Sequence, residues 1–190
     1  QPPVIQALDG TEHTFKQFMQ PRLQFNISDP ENQLGEVRYE ESIAFETFYI
    51  EDGIYRIDID AQKIPAGTYK SRIVASDVYG VEAECEITFT VEENNAPAAS
   101  QPLENVLFNS KTKTKTVTLS DHFTDGDGET LKYSIQSSAE SVAKGSVAKD
   151  VLTLTSIGYG MAQITVTASD ALGKTASAVF TVVVRDGSNA

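Results

Sequence analysis

Ala75-Ser76-Asp77-Val78-Tyr79-Gly80 returns as Ala168-Ser169-Asp170-Ala171-Leu172-Gly173, and Phe89-Thr90-Val91 returns as Phe180-Thr181-Val182. Each string joins a strand-like run to an Asp/Gly turn, and recurrence at a near-constant spacing marks tandem modules before any single residue is weighed. Working outward, Pro3 opens Pro-Val-Ile-Gln-Ala-Leu, and Pro97 opens Pro-Ala-Ala-Ser-Gln-Pro-Leu 94 positions later, directly after the linker-like Asn94-Asn95-Ala96. The spacing predicts two modules, residues 1–95 and 96–190, each long enough to bury a core of its own. Asn189-Ala190 repeats Asn95-Ala96 at the same offset, which leads us to expect a further segment beyond it and a longer parent chain.

Inside each module apolar residues alternate with polar ones. Leu23, Phe25 and Ile27 form one such series, and Cys85, Ile87, Phe89 and Val91 another. Leu131/Tyr133/Ile135, Ala162/Ile164/Val166/Ala168 and Ala178/Phe180/Val182/Val184 do the same in the second module. A period of two puts one face of an extended chain in the core and the other in water. Gly, Pro, Asn and Asp punctuate the runs, as in Asp52-Gly53, Pro65-Ala66-Gly67 and Asp125-Gly126-Asp127-Gly128, and helical periodicity is nowhere sustained. Short strands and turns in two such lengths predict an all-β chain of two tandem Ig-like β-sandwich domains joined by a short linker. Gly67-Thr68-Tyr69 stands where a tyrosine-corner hydroxyl would tie down a loop. Lys111, Lys113 and Lys115 are expected on one face of an edge strand, guarding it against strand-to-strand association.

The net charge of −12 is concentrated in the first 93 residues. They hold 7 Lys/Arg against 18 Asp/Glu, whereas the rest hold 8 against 9. Such a surface repels phosphate backbones and anionic membranes, so nucleic acid is excluded as a partner and cations are favoured. No run of about 18 apolar residues occurs, so no direct membrane insertion is expected. Cys85 is the only cysteine; an intrachain disulfide is impossible, and its place in phase with Ile87 and Phe89 makes it an inert core thiol.

Catalysis needs a nucleophile with a base, or a metal with an open position, and the inventory is thin: two histidines, one cysteine and no tryptophan. His13 and His122 have no partner group in any recognisable motif and read as surface or turn residues, and neither a Gly-x-Ser-x-Gly elbow nor a His-Glu-x-x-His helix occurs. The chain is expected not to be an enzyme. One constellation carries chemistry. Asp125-Gly126-Asp127-Gly128-Glu129 sets carboxylates at every second position of a glycine-rich loop, the oxygen-only donors that Ca²⁺ takes. It is not an EF-hand, since Thr130 stands where that loop requires glycine and Gln136 where it requires glutamate. The alternative for the same residues is a solvated Asp-Gly turn. The first module answers with Asp29-Pro30-Glu31-Asn32.

Thr124 to Ile135, taken with Ala168 to Gly173 and Glu93-Asn94-Asn95-Ala96-Pro97, resembles the cadherin-like family of β-sandwich repeats, over both modules. That resemblance implies calcium held between successive domains by Asp125, Asp127, Asp170, Asn94 and Asn95. The first module has no Leu-Asp-Arg-Glu, and the linker reads Glu-Asn-Asn where that family has Asp-x-Asn-Asp-Asn. Leu103 to Phe108, Leu119 to Asp125 and Gly158 to Asp170 also look like the bacterial cadherin-like and dystroglycan-type repeats that follow catalytic domains in large secreted or surface proteins, including subtilisin-like proteases of Bacteroidetes. The resemblance implies a non-catalytic accessory or stalk segment in the bacterial envelope or secreted from it, with the rest of the parent polypeptide as partner. The alternative is a module that binds a surface protein or a glycan through end loops or an edge strand.

Overall fold

Alternating apolar residues become strands throughout the computed structural model, which describes residues 1–187 and divides them into two units, Gln1–Asn94 and a second beginning at Asn95. The Asn189-Ala190 repeat lies outside the described residues. In the first unit the strands are β1 (Val4–Ala7), β2 (Glu12–Lys16), β3 (Arg22–Ser28), β4 (Leu34–Glu40), β5 (Glu46–Glu51), β6 (Ile54–Ile59), β7 (Gly67–Asp77) and β8 (Glu82–Glu92). They form two sheets, β1-β3-β6-β5 and β2-β8-β7-β4, antiparallel throughout except for the parallel pair β2 and β8. This is the immunoglobulin-type order, in which the first strand splits between the sheets. Leu23 and Phe25 of β3, Ile57 and Ile59 of β6, and Ile73, Ile87 and Phe89 of β7 and β8 meet in one buried cluster, so the two sheets face each other. Each such side chain contributes about 1.5–3 kcal/mol when taken fully from water.

The second unit repeats the order with β9 (Ala98–Ala99), β10 (Val106–Phe108), β11 (Thr114–Thr118), β12 (Phe123–Thr124), β13 (Lys132–Ser137), β14 (Ala143–Ala148), β15 (Val151–Ser156), β16 (Gly160–Ser169) and β17 (Thr175–Val184). One sheet runs β10-β17-β16-β13 and the other β11-β15-β14, with β12 pairing β9 alone. A 3-10 turn over Leu119–Asp121 separates β11 from β12, so what would be one strand is broken in two. Leu119, Phe123, Leu152, Leu154, Ile164, Val166 and Phe180 fill the core. All-β architecture and two sandwiches are therefore what the chain adopts.

Two hairpins position the loops that matter below. β7 pairs β8 from Gly67↔Val91 to Ser76↔Glu82, and β16 pairs β17 from Gly160↔Val184 to Ser169↔Thr175. In both, an aspartate, Asp77 or Asp170, is the next residue out. Lys132↔Ser169 pairing brings the Glu129–Leu131 segment beside Asp170. The Tyr69 hydroxyl donates to the Pro65 carbonyl at 2.8 Å, and its ring stacks on Phe89 with centroids 5.4 Å apart, so the tyrosine corner is present. Gly35 is needed at the bulge between Leu34 and Val37, because a Cβ there would lie 2.8 Å from the Asp77 carbonyl oxygen.

Two local expectations change. The strand bearing the lysines begins only at Thr114, because Thr112 has φ 56° and breaks the alternation; Lys115 lies in β11, whereas the Lys111 ammonium sits 4.3 Å from the centroid of the Tyr159 ring. Cys85 is half-buried, packed against the core cluster from its rim, and burial raises its thiol pKa. His13 is in β2 and stacks on Phe15 with its Nε2 3.1 Å from the Gly10 carbonyl oxygen.

Candidate metal centre

The loop between β12 and β13 is shaped by its own first carboxylate. Asp125 Oδ1 accepts the backbone N–H groups of Asp127 at 2.8 Å and Glu129 at 3.3 Å, a side-chain turn that favours Asp at this position. Gly128 follows with φ 76°, a conformation glycine takes at no steric cost. The carboxylate of Asp127 accepts from Asn95 twice, from the backbone N–H at 2.5 Å and from Nδ2 at 3.0 Å. Asn95, expected at the end of the first module, is thereby tied to the second unit. Glu129 Oε1 accepts the Ala171 N–H at 3.1 Å from the neighbouring loop. That loop is held by Asp170, only 4% exposed, whose Oδ1 accepts from Leu172 at 3.0 Å and Lys174 at 2.8 Å.

What these bonds leave over is the informative part. Asp125 Oδ2 and Glu129 Oε2 are buried and have no hydrogen-bond partner. One carboxylate oxygen from each of Asp125, Asp127 and Glu129 lies within 4.8 Å of the other two. Two ligands each about 2.4 Å from one ion are at most about 4.8 Å apart, so the three oxygens meet the distance limit for sharing one Ca²⁺, and carboxylate oxygen is the donor that ion takes. Burying an unpaired carboxylate oxygen is costly, and three carboxylates this close repel one another. Burial, first, and then Asp170, Asp125 and Asp127 raise the pKa of Glu129, against the Ala171 hydrogen bond that lowers it.

Of the residues expected at the site, Asp125 and Asp127 come together, Asn95 bonds to Asp127, and Asp170 acts on Glu129 through its charge. Asn94 belongs to the first unit, where it is buried and its N–H donates to Gln17 Oε1 at 3.2 Å. Glu129 completes the triad although the resemblance did not point to it; its signal was its place four residues after Asp125 in the same loop.

The first unit carries the corresponding loop in a different chemistry. Asp29 Oδ1 accepts from Glu31 at 2.8 Å and Gln33 at 3.0 Å, and Asn32 has φ 56° where Gly128 has 76°. Asp29 Oδ2 is likewise buried and unpartnered. Gln33, however, stands where Glu129 stands in the second unit, so a neutral amide replaces the third carboxylate. Among the described residues, Asp125, Asp127 and Glu129 form the one acidic group with this spacing, and no helix is long and apolar enough to cross a membrane.

No family model matches the sequence, and no curated protein does. Among solved structures the chain is similar to the N-terminal Ig1-2 module of the Drosophila receptor protein tyrosine phosphatase DLAR, 12% identical over 97% of this chain and 100% of that one, TM-score 0.39. It is similar to EC1-2 of human mucin-like protocadherin, 14% identical over 96% and 98% of the two chains, TM-score 0.43. The endo-fucoidan hydrolase MfFcnA9 of glycoside hydrolase family 107 is 14% identical over 97% of this chain and 35% of its own, TM-score 0.41.

Proposed function

We propose that this chain is a non-catalytic accessory or stalk segment of a larger secreted or cell-surface protein, and that its second unit carries a calcium site formed by Asp125, Asp127 and Glu129, with Asp170 and Asn95 beside them. Two observations carry the site: Asp125 Oδ2 and Glu129 Oε2 are buried and unpartnered, and one carboxylate oxygen from each of Asp125, Asp127 and Glu129 lies within 4.8 Å of the other two. When bound, the ion would supply the positive charge these carboxylates lack. Asp125 would then hold its own loop through Oδ1 and the ion through Oδ2. Glu129 would link the ion to the β16–β17 loop through the Ala171 N–H, and Asp127 would link it to Asn95 at the start of the unit. Three connections that are separate in sequence would be cross-braced at one pole of the sandwich, a stiffening suited to a spacer. A separate core in each unit supports the stalk reading.

Thermal denaturation in millimolar calcium against chelator tests the site. A ligand at 100 times its dissociation constant adds about 2.7 kcal/mol. Each kcal/mol moves the midpoint of a unit this size by about 4–8 °C. The second unit should gain on that scale and Glu129→Gln should lose the gain. Superimposable curves in calcium and chelator would refute the site.

A further inference from the structure

Corresponding sheets of the two units differ in what they turn to solvent. In the first unit, β2-β8-β7-β4 carries paired charges on its outer face: Arg38 meets Glu82 at 2.8 Å, Arg72 meets Glu84 at 3.0 Å and Glu40 as well, and Lys70 meets Glu86 at 2.7 Å. Val74, flanked across the sheet by Arg38 and Glu84, is fully covered. The same sheet of the second unit, β10-β17-β16-β13, has no such cover. Ala162, Ile164 and Val166 of β16 and Phe180, Val182 and Val184 of β17 point into the core, so the residues between them point out. Those residues are Ser, Thr, Gln, Val and Met throughout. Lys132, at one corner, is the one ionisable side chain that the four strands turn outward. Leu107, Val183 and Met161 stand side by side across three strands, and Leu107, Met161 and Val179 are 54%, 66% and 56% exposed. Threonine dominates the outside of the unit's other sheet, β11-β15-β14, where Val151 is the one exposed large apolar side chain.

Size and charge select what covers this face. With strands about 4.8 Å apart and about 3.3 Å of length per residue, strands of 10, 10, 6 and 3 residues present roughly 500 Å². Two copies meeting face to face bury about 1,000 Å², the lower bound for a specific contact and the size of a weak, reversible one. In a two-fold contact the same patch serves both partners, so a face of one charge sign opposes itself. On a chain of net charge −12, this face is free of that opposition. A single corner lysine offers little by which a charged foreign partner would be steered. The polar side chains tolerate cover too, since Thr167 and Ser177 already hydrogen-bond each other at 2.9 Å.

We propose that two copies of this chain associate reversibly through the outer faces of β10-β17-β16-β13, with Leu107, Met161, Val179 and Val183 as the apolar part of an isologous contact. The proposal uses none of the carboxylates of the calcium site, and the test is run in chelator. Sedimentation equilibrium of the intact chain from about 1 µM to about 1 mM is combined with a proton-nitrogen dilution series. A monomer–dimer equilibrium is expected, with concentration-dependent shifts at residues 107, 161–167 and 177–183. Raising sodium chloride from about 50 to about 500 mM should hold or strengthen the dimer, because salt screens the mutual repulsion of the first units, which hold 7 Lys/Arg against 18 Asp/Glu each. Met161→Glu and Val179→Glu, both at exposed positions, should each weaken association at least tenfold with dispersed spectra retained. Should a variant lose dispersion, the dilution shifts of the wild type decide alone. A chain that stays monomeric at the highest concentration, which would leave the face to another protein, overturns the proposal. So do shifts that map elsewhere, dissociation by salt, or undiminished association of both folded variants.

Discussion

Asp77 and Asp170 make the same bonds in different units: each Oδ1 accepts the backbone N–H groups two and four residues ahead, Tyr79 and Val81 at 2.8 Å in one case, Leu172 at 3.0 Å and Lys174 at 2.8 Å in the other. Both side chains are buried, at 5% and 4% exposure. The repeated Ala-Ser-Asp string is therefore a loop-closing device, in which one carboxylate oxygen replaces the strand ladder at the moment the hairpin turns. Asp29 and Asp125 do the same for the loops opposite.

Asp77→Ala and Asp170→Ala each leave two N–H groups without their acceptor, at about 1–3 kcal/mol for an unsatisfied buried group. Calorimetry should show the midpoint of the mutated unit falling by about 4–8 °C per kcal/mol with the other unit unmoved. The asparagine variants should fall less, because the amide oxygen still accepts. Equal loss from Ala and Asn would mean that charge, and not acceptance, closes the loop.

Glu46 gives a pH dependence of definite sign. Its carboxylate is buried and accepts from Ser71 Oγ at 2.9 Å and from the Tyr39 hydroxyl, and burial raises its pKa against the hydrogen bonds that lower it. A raised folded pKa means that its contribution is fully present below the ordinary glutamate range and is lost as pH rises through the folded value. Glu46→Gln should therefore melt above the wild type near neutral pH, with the advantage shrinking on acidification. Difference melting curves across that range check it, and an advantage that grows in acid would be the wrong sign. Asp58, held low by Arg22, works in the opposite direction, but that pair is exposed and salt-screened.

Tyr69→Phe removes one hydroxyl and leaves the Pro65 carbonyl without its donor. A loss of about 1 kcal/mol is expected, with the Tyr69–Phe89 stacking retained. Chemical denaturation of the intact chain, resolving the first unit's transition, measures it; a loss of zero would demote the corner to a packing contact.

Strand identity was legible because Leu23-Phe25-Ile27 and Ile87-Phe89-Val91 alternate without ambiguity, and the tyrosine corner because glycine and tyrosine stand at the right spacing ahead of a strand. The 3-10 turns at Ala61–Lys63 and Leu119–Asp121 escape such reading, since three residues have no period. Glu46 also escapes it. A glutamate ahead of an alternating run looks solvated until Ser42, Ser71 and Tyr39 converge on it from elsewhere in the chain. At the candidate metal centre, the string from Asp125 to Glu129 was visible, but which of its carboxylates approach one another depends on the turn that Asp125 makes and on the β13–β16 register. The left-handed backbone at Phe45 has no mark in the sequence, because aromatic residues carry no preference for it.

Calorimetric titration of calcium into the intact, chelator-stripped chain, with Glu129→Gln and Gln33→Glu alongside, is the most direct test of the account. We predict one saturable calcium event in the wild type, its loss in Glu129→Gln, and weaker binding as the pH is lowered, because the carboxylates must be deprotonated to hold the ion. Gln33→Glu should restore the third carboxylate to the first unit's loop and add a second event. Absence of saturable heat in the wild type, or full binding by Glu129→Gln, would contradict a calcium site built by Asp125, Asp127 and Glu129.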